Sequence, residues 1–516
     1  LNSSRVGVAV AVGLLLAYVT TLAPGVTYWD AGEFLSAIKT LGIPHPPGTP
    51  LYILAGNVWA KSFAPIFGFA YSVNLLSAVS TAVACGIFAA LMLRWTREPV
   101  VAIAGGLLAG LMSSVWLNAN ETEVYAPSLL MSALLIYAAH RANQTKEARW
   151  LVLLGYLIGL AWSLQLSALV AAPAALFLAF QSWRGRRIPI VSMMVVAVVG
   201  ASAVLFMLVR ARHDPGVNQG DPAAWSSFVD VITRKQYQPV SILPRQAPWY
   251  IQVGNLVEYA DWQFAFGLHP EPPPSWIRTP VTMIYAAFGV FGSMWHRRVH
   301  KPSWRVLMLL FVCGTLGVVA YLNMKASPSY GHGFLAENAK HEARERDYFF
   351  ALGFVCWGLW AGAGAVTAFA KAGRRFRYAG VVVAIFPFFL NFRATDRAHG
   401  ADAHAARDSA LKILSSAPKN GVVFAYGDND TYPVWYAQKV EGVRTDVTTI
   451  TVPLLGASWY RAELARRHGL LDADKVGHWR GYDETLATVC RNARERGRPV
   501  VAKEVRERPK PPRNCN

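Results

Sequence analysis

Charge is what this sequence has least of. Only 16% of its 516 residues are charged, against 53% that are hydrophobic, whereas a soluble domain usually carries about a quarter charged residues. Acid is scarcer than base, 31 residues against 50, which leaves a net charge of +19. There are five cysteines and no C-x-x-C pair, so a zinc-ribbon or thioredoxin-type centre is excluded. No P-loop, G-x-S-x-G or H-E-x-x-H occurs, which removes the commonest nucleotide, serine-hydrolase and zinc-protease mechanisms. Internal repeats and long low-complexity segments are absent, and the tail RPKPPRNCN reads as extended or mobile chain.

What remains is apolar. Runs of roughly 20 apolar residues recur from Val6 to Phe392, each long enough to cross a bilayer as helix. The spans predicted are 6–23, 71–93, 99–117, 127–142, 150–164, 167–182, 188–210, 281–295, 305–323, 348–370 and 378–392, about eleven crossings by the length criterion. The first run lacks an A-x-A exit and is read as a span, not a cleaved signal. The run from Trp150 to Ser182 is too long for one helix and needs a tight hairpin near Ser163 to Ser167. Residues 51–66 are apolar but interrupted, and are read as packed in or on the outer leaflet.

The positive charge is clustered: Arg94/Arg97, Arg141/Lys146/Arg149, Arg184/Arg186/Arg187, Arg297/Arg298/Lys301/Arg305 and Lys371/Arg374/Arg375/Arg377. Such clusters in short loops mark the cytoplasmic side, and their partners are anionic lipid headgroups, not nucleic acid. This orientation puts the N-terminus inside. Residues 1–393 then form a polytopic α-helical membrane domain with a first external loop at 24–70 and a long external loop at 211–280. Residues 394–516 are charged, lack spanning segments and read as a soluble extracytoplasmic α/β domain.

Every motif rich in chemistry falls on the outer side. In WDAGEF, Asp30 and Glu33 are three residues apart, so a helix starting there carries both on one face. Helix capping is the plain explanation for Asp30, but two acids beside a span are costly and usually functional. The prolines of IPHPPGTP forbid regular helix and favour a stiff extended segment that would hold His45 over the site. NETEVY supplies Glu121 and Glu123 at the outer end of a span, where one of them could close a ring of carboxylates with the first loop or both could simply solvate a helix end. Its Asn120 fits a glycosylation sequon in a loop too short to be a good acceptor. Arg344 and Arg346 of EARERDYFF lie outside against the charge bias, and guanidinium forks suit phosphate oxygens. Their alternative is pairing with Glu342, Glu345 or Asp347. GVVFAY and DVTTITV read as strands flanking the helix YPVWYAQKV, which sets Asp428 and Asp430 at a strand's C-terminal end, where α/β sheets place ligands. A turn rich in Asp and Asn also needs no ligand. Cys85, Cys313 and Cys356 lie in predicted spans, while Cys490 and Cys515 share the outer domain and are a candidate disulfide. Trp225, Trp249, Trp262 and Trp276 of the long loop suit a lipid interface or a sugar face.

The ordered set YWDAGEF, HPPGTPLY, NLLSAV, ETEVYAPS, ITRKQY, RERDYFF and GDNDTYPVWYAQKVEGVRTDV resembles the domain-of-unknown-function 2723 family, which includes an animal transmembrane protein O-mannosyltransferase. The resemblance implies a GT-C glycosyltransferase that uses a polyprenyl-phosphate sugar, takes an acid of the first external loop as catalytic residue and inverts the anomeric centre. Asp30 matches the acid of the family's D-x-G-E motif and Glu33 its second acid. On this reading Asp30 and Glu33 are catalytic, and Arg344 and Arg346 bind donor phosphate. His45, Glu123, Tyr125, Asp428 and Asp430 contact substrate. Partners are the lipid-linked donor, a protein Ser/Thr or glycan acceptor and membrane lipids. The expected location is a bacterial inner membrane with the C-terminal domain periplasmic or outside. No cofactor is required: Asp30, Glu33 and Glu123 have the chemistry for a divalent ion, but recognition of phosphate by Arg needs none, so no metal is predicted. The alternatives are a lipid or polysaccharide glycosyltransferase of the same fold, and a transporter or flippase with an external binding domain.

Overall fold

The computed structural model describes residues 2–181, 187–238 and 241–501. It is a multi-pass helical membrane protein. Among the described residues five helices are long and apolar enough to cross a membrane: Phe69–Thr96, Pro189–Ala211, Lys301–Leu322, Asp347–Lys371 and Arg374–Thr395. Pro99–Leu111 and Ser113–Ala119 make a sixth if the pair, bent by 70°, counts as one span. Each of the other predicted crossings also falls on helix. Ser3–Val19, Ala148–Leu164 and Leu166–Phe180 are shorter apolar helices, and Tyr125–Thr145 and Arg278–Val299 cover the rest. The break between Trp150 and Ser182 sits at Gln165, which is extended at φ −172°. Residues 51–66 form one helix, Pro50–Phe67, that is not among the crossing candidates. The basic cluster at Arg184 and Arg186 lies outside the described residues, as does Cys515.

The chain divides into two compact units. The first contains Leu1–Leu22, Asn74–Ala203 and Val240–Ala398. Its helices approach through small residues, as membrane helices do when van der Waals packing replaces the hydrophobic drive. Gly292 on Arg278–Val299 and Gly364 on Ala351–Lys371 let these two backbones touch, and a Cβ at either would overlap the facing chain. The loop before Arg278–Val299 is fastened by Arg278, which is wholly buried. Its guanidinium pairs with Asp261 at 2.9 Å and donates to the carbonyls of His269, Glu271, Pro272 and Pro273. A buried charge costs several kcal/mol to desolvate unless its hydrogen bonds are met, and here they are met by the loop it closes. Trp262 belongs to this packing, buried with its indole N–H on Pro272. Of the four loop tryptophans only Trp225, Trp249 and Trp276 are free to meet an interface, at 64–87% exposure.

The second unit gathers Ala23–Val73, Val204–Pro239 and His399–Asn516. Strands Val422–Ala425 and Thr448–Thr451 pair in parallel with Val422 opposite Thr448, and helix Asp428–Lys439 connects them. Alternation along the first strand puts Val422 against Leu455, Leu464, Leu486 and Val489, and Val423 against Leu414, Val434 and Ala437. The strand–helix–strand pattern is the one the sequence predicts. Less visible beforehand is that the first-loop helix, Ala31–Thr40, lies against helix Asp428–Lys439. Gly32 makes that approach, because a Cβ there would overlap the backbone carbonyl of Tyr432. Gly32→Ala is therefore expected to destabilise this unit by about 1–3 kcal/mol, the usual cost of overpacking. The check is the thermal midpoint of the purified variant, and an unchanged midpoint would show that the two helices have slack.

Candidate functional site

The opening of the first-loop helix is held in an uncommon conformation. Trp29 adopts φ +62°, rare for a bulky non-glycine residue, at a cost on the order of 1–3 kcal/mol. Its N–H is caught at 2.7 Å by the side-chain carbonyl of Asn429, in the first turn of helix Asp428–Lys439, where the sequence predicts a loop. Asp30 follows at the N-cap position, yet its side chain makes no capping bond to its own helix. The plain explanation for this acid therefore lacks its defining contact. Asp30 is half-buried, whereas Glu33, one turn on, is fully buried.

Glu33 is surrounded by donors. One carboxylate oxygen accepts the His45 backbone N–H at 2.7 Å and the side-chain amide of Gln219; the other lies 2.5 Å from His45 Nδ1. Burial raises the Glu33 pKa, opposed by the charge and hydrogen bond of His45 and reinforced by Asp30. The proline segment is not extended as its composition predicts: it turns at 45–48. That turn brings His45 back over the helix, with Phe34 packed on the imidazole at 5.6 Å and on Tyr52 at 5.4 Å. Residues 216–219 complete the arrangement: the Ile43 N–H donates to Val217 and the Gln219 N–H to Ile43, at 2.7 and 2.9 Å.

Asp30, Glu33 and His45 can each offer one ligand atom, and these atoms lie within 4.8 Å of one another. Both oxygens of Glu33 are already engaged by His45 and Gln219, so a cation would have to replace those bonds. Asp428, first residue of its helix, belongs to the same electrostatic neighbourhood. The Tyr432 phenol is raised well above its ordinary range, by burial first and then by Glu33, Asp428 and Asp30. Asp430 sits in the first turn of that helix.

The other candidates fall in the first unit. Tyr125 packs on Tyr348 at 4.6 Å and on Phe349 at 5.4 Å. Arg344 and Arg346 converge on the Tyr348 hydroxyl at 3.0 and 2.6 Å. Arg346 also reaches Glu342 at 3.3 Å, a long contact for an ion pair, so both of its sequence readings retain a basis. Arg346→Lys keeps the charge and loses the fork. If Arg346 holds phosphate, donor KM should rise or kcat fall by about tenfold, one pKa unit's worth of free energy; kinetics like wild type would leave only the Glu342 pair. Glu123 is buried, and Glu121 pairs with Arg397 at 2.9 Å. Asn120 is fully buried and donates to Thr21 and to the Thr395 carbonyl, a structural role and not that of a sequon.

Two residues escaped the sequence reading. Gln219 lies in GVNQGDP and Asn429 in GDND, both polar stretches whose composition reads as turns and nothing more, although Asn429 stands in the first turn of helix Asp428–Lys439. Only the folded chain shows that each fixes an element of the acid site.

Two families match parts of the chain. The protein O-mannosyl-transferase TMEM260 N-terminal domain matches residues 30–188, and TMEM260-associated domain 2 matches residues 406–473. The mouse (Mus musculus) protein O-mannosyl-transferase TMEM260 is 30% identical over 149 residues, 28% of this chain and 20% of that protein. The Dictyostelium discoideum protein O-mannosyl-transferase tmem260 is 19% identical over 487 residues, 86% of this chain and 56% of that protein. The chain therefore spans between a fifth and just over half of the length of these relatives. Among solved structures, ArnT from Cupriavidus metallidurans bound to undecaprenyl phosphate aligns with a TM-score of 0.49 and 12% identity, over 87% of this chain and 90% of that one.

Proposed function

We propose that the protein is a membrane glycosyltransferase that moves a sugar from a polyprenyl-phosphate donor to an acceptor hydroxyl, with a protein Ser or Thr as acceptor and mannose as the first sugar to test. The observation that carries the reading is the unequal acid pair. Glu33 is buried and committed to His45 and Gln219, while Asp30 is half-buried and follows the strained Trp29 at the helix start. The TMEM260 N-terminal match begins at residue 30, and both relatives are named protein O-mannosyl-transferases.

In this mechanism Asp30 accepts the hydroxyl proton as the acceptor oxygen attacks the anomeric carbon. The bond from that carbon to the phosphate oxygen breaks, and polyprenyl phosphate leaves with the electron pair, inverting the centre. A positioned general base contributes about 10²–10⁴-fold in rate. Arg344 and Arg346 are the proposed cations for the phosphate as charge develops, and His45, Glu123, Tyr125, Asp428 and Asp430 the proposed substrate contacts. On this proposal the sites face the extracytoplasmic side, the orientation implied by the basic clusters of the short loops.

The test is sugar transfer in detergent from a defined polyprenyl-phosphate mannose to a Ser/Thr-containing peptide, read as a mass shift together with released polyprenyl phosphate. A glycan accepting the sugar where the peptide does not would redirect the acceptor. No release of polyprenyl phosphate from any donor of a sugar panel, with the lipid moved across vesicles instead, would replace the enzyme by a flippase.

A further inference from the structure

Next to Gln219 the second unit has a partly open cavity of about 220 Å³ that the proposed reaction does not use. It is smaller than the roughly 300–1,000 Å³ typical of drug-sized sites, a volume for one small ring. One wall is the 216–219 segment, whose Gln219 also holds Glu33. The opposite walls are the C-terminal end of helix Asp428–Lys439, the start of strand Thr448–Thr451 and the helical stretch 458–468.

The lining has a definite character. Trp435 and Trp459 present aromatic surface, and the Trp459 indole N–H is fixed by Gln236 at 2.9 Å. Arg467 is already neutralised, by Asp214 at 2.5 Å and Glu463 at 2.8 Å. His468 is lowered to about 4 by burial and by Arg498, Arg467 and Lys439, so it is neutral at pH 7. Lys439 is different. It lines the cavity as a cation, its pKa lowered by burial first, raised by the Glu463 carboxylate and lowered by Arg467. The Thr449 hydroxyl is buried with no hydrogen-bond partner. A cavity that leaves a buried hydroxyl unmet, beside a lysine and two indoles, has polar and aromatic groups a ligand could use: an unpaired buried polar group costs about 1–3 kcal/mol.

We infer that this cavity is a binding site for a small anionic sugar, a single pyranose bearing a phosphate or carboxylate. The anionic group meets Lys439, a ring hydroxyl meets Thr449, and the apolar face of the ring packs on Trp435 or Trp459. The site is separate from the acid pair and does not depend on the transferase reading.

The experiment is equilibrium dialysis of the purified full-length chain, without any lipid donor, against radiolabelled mannose 6-phosphate, glucuronic acid, mannose and inorganic phosphate. Saturable binding of mannose 6-phosphate or glucuronic acid, one per chain and at least about tenfold tighter than mannose or phosphate alone, is expected; which of the two binds identifies the anionic group. Lys439→Gln should weaken it about tenfold or more, Lys439→Arg should largely retain it, and Trp459→Phe should weaken it about threefold or more. Asp30→Asn should bind like wild type, which separates this site from the catalytic one. The inference is overturned by the absence of saturable binding, by phosphate binding as tightly as the sugar anions, or by folded Lys439→Gln binding like wild type. Loss of sugar transfer with binding intact would count against the transferase proposal alone.

Discussion

Asp30→Asn is expected to lower turnover by about two orders of magnitude or more, with donor KM and thermal stability close to wild type. The amide keeps the size of the carboxylate but cannot take a proton from the acceptor hydroxyl, and a general base supplies about 10²–10⁴-fold. Ordinarily this substitution would also test helix capping, since Asn caps about as well as Asp. Here that control is sharper, because the Asp30 side chain makes no cap bond to lose. A fall in kcat without a change in melting therefore speaks for chemistry. The measurement is steady-state release of polyprenyl phosphate alongside a thermal unfolding curve of the same preparation. A variant that is folded and transfers sugar at the wild-type rate would remove Asp30 from the mechanism.

The parts of this protein written in local pattern were legible beforehand. Apolar runs at Val6–Phe392 marked the helices, because a spanning helix must satisfy its backbone internally and coat itself in apolar side chains. Helix 148–164 ended at Gln165, inside the stretch where the sequence required a break. The strand pair Val422–Ala425 and Thr448–Thr451 was visible as β-branched runs flanking a helix. The prolines around His45 implied a stiff extended segment; the chain instead turns at 45–48, and it is this turn that brings His45 to Glu33. What the pattern hid is partnership across hundreds of residues. Trp29 meets Asn429, Gly32 meets Tyr432 and Glu33 meets Gln219, contacts set by packing with no periodicity to announce them. Composition misjudged Trp262 for a related reason: an indole in a long loop suits an interface, but this one is buried against Pro272. The same limit applies to Arg346, whose candidate partner Glu342 is four residues away and visible in sequence, while its convergence with Arg344 on Tyr348 is not.

Glu33 should behave in the opposite way to Asp30, losing stability and activity together. Its carboxylate is fully buried and accepts from the His45 backbone, from the Gln219 amide and at His45 Nδ1. Glu33→Ala strands those donors, at about 1–3 kcal/mol for each one left unmet, and opens a cavity at the base of the loop. The Pro segment carrying His45 and the 216–219 segment would both lose their anchor, so turnover should fall about as far as in Asp30→Asn, with a lowered thermal midpoint that Asp30→Asn does not show. Glu33→Gln is the discriminating variant. Its amide oxygen can still accept from the His45 N–H and the Gln219 amide, but its NH₂ then requires His45 Nδ1 to be the unprotonated nitrogen and the negative charge is lost, so an intermediate loss of stability is expected with a smaller loss of turnover. Gln219→Ala should reproduce part of that deficit from the other side, since it leaves one oxygen of a buried carboxylate short of a partner. Paired kinetics and melting curves on the four variants decide the roles. If Glu33→Gln melts like wild type and yet loses more turnover than Asp30→Asn, the proton acceptor is Glu33, and Asp30 is the residue that positions it.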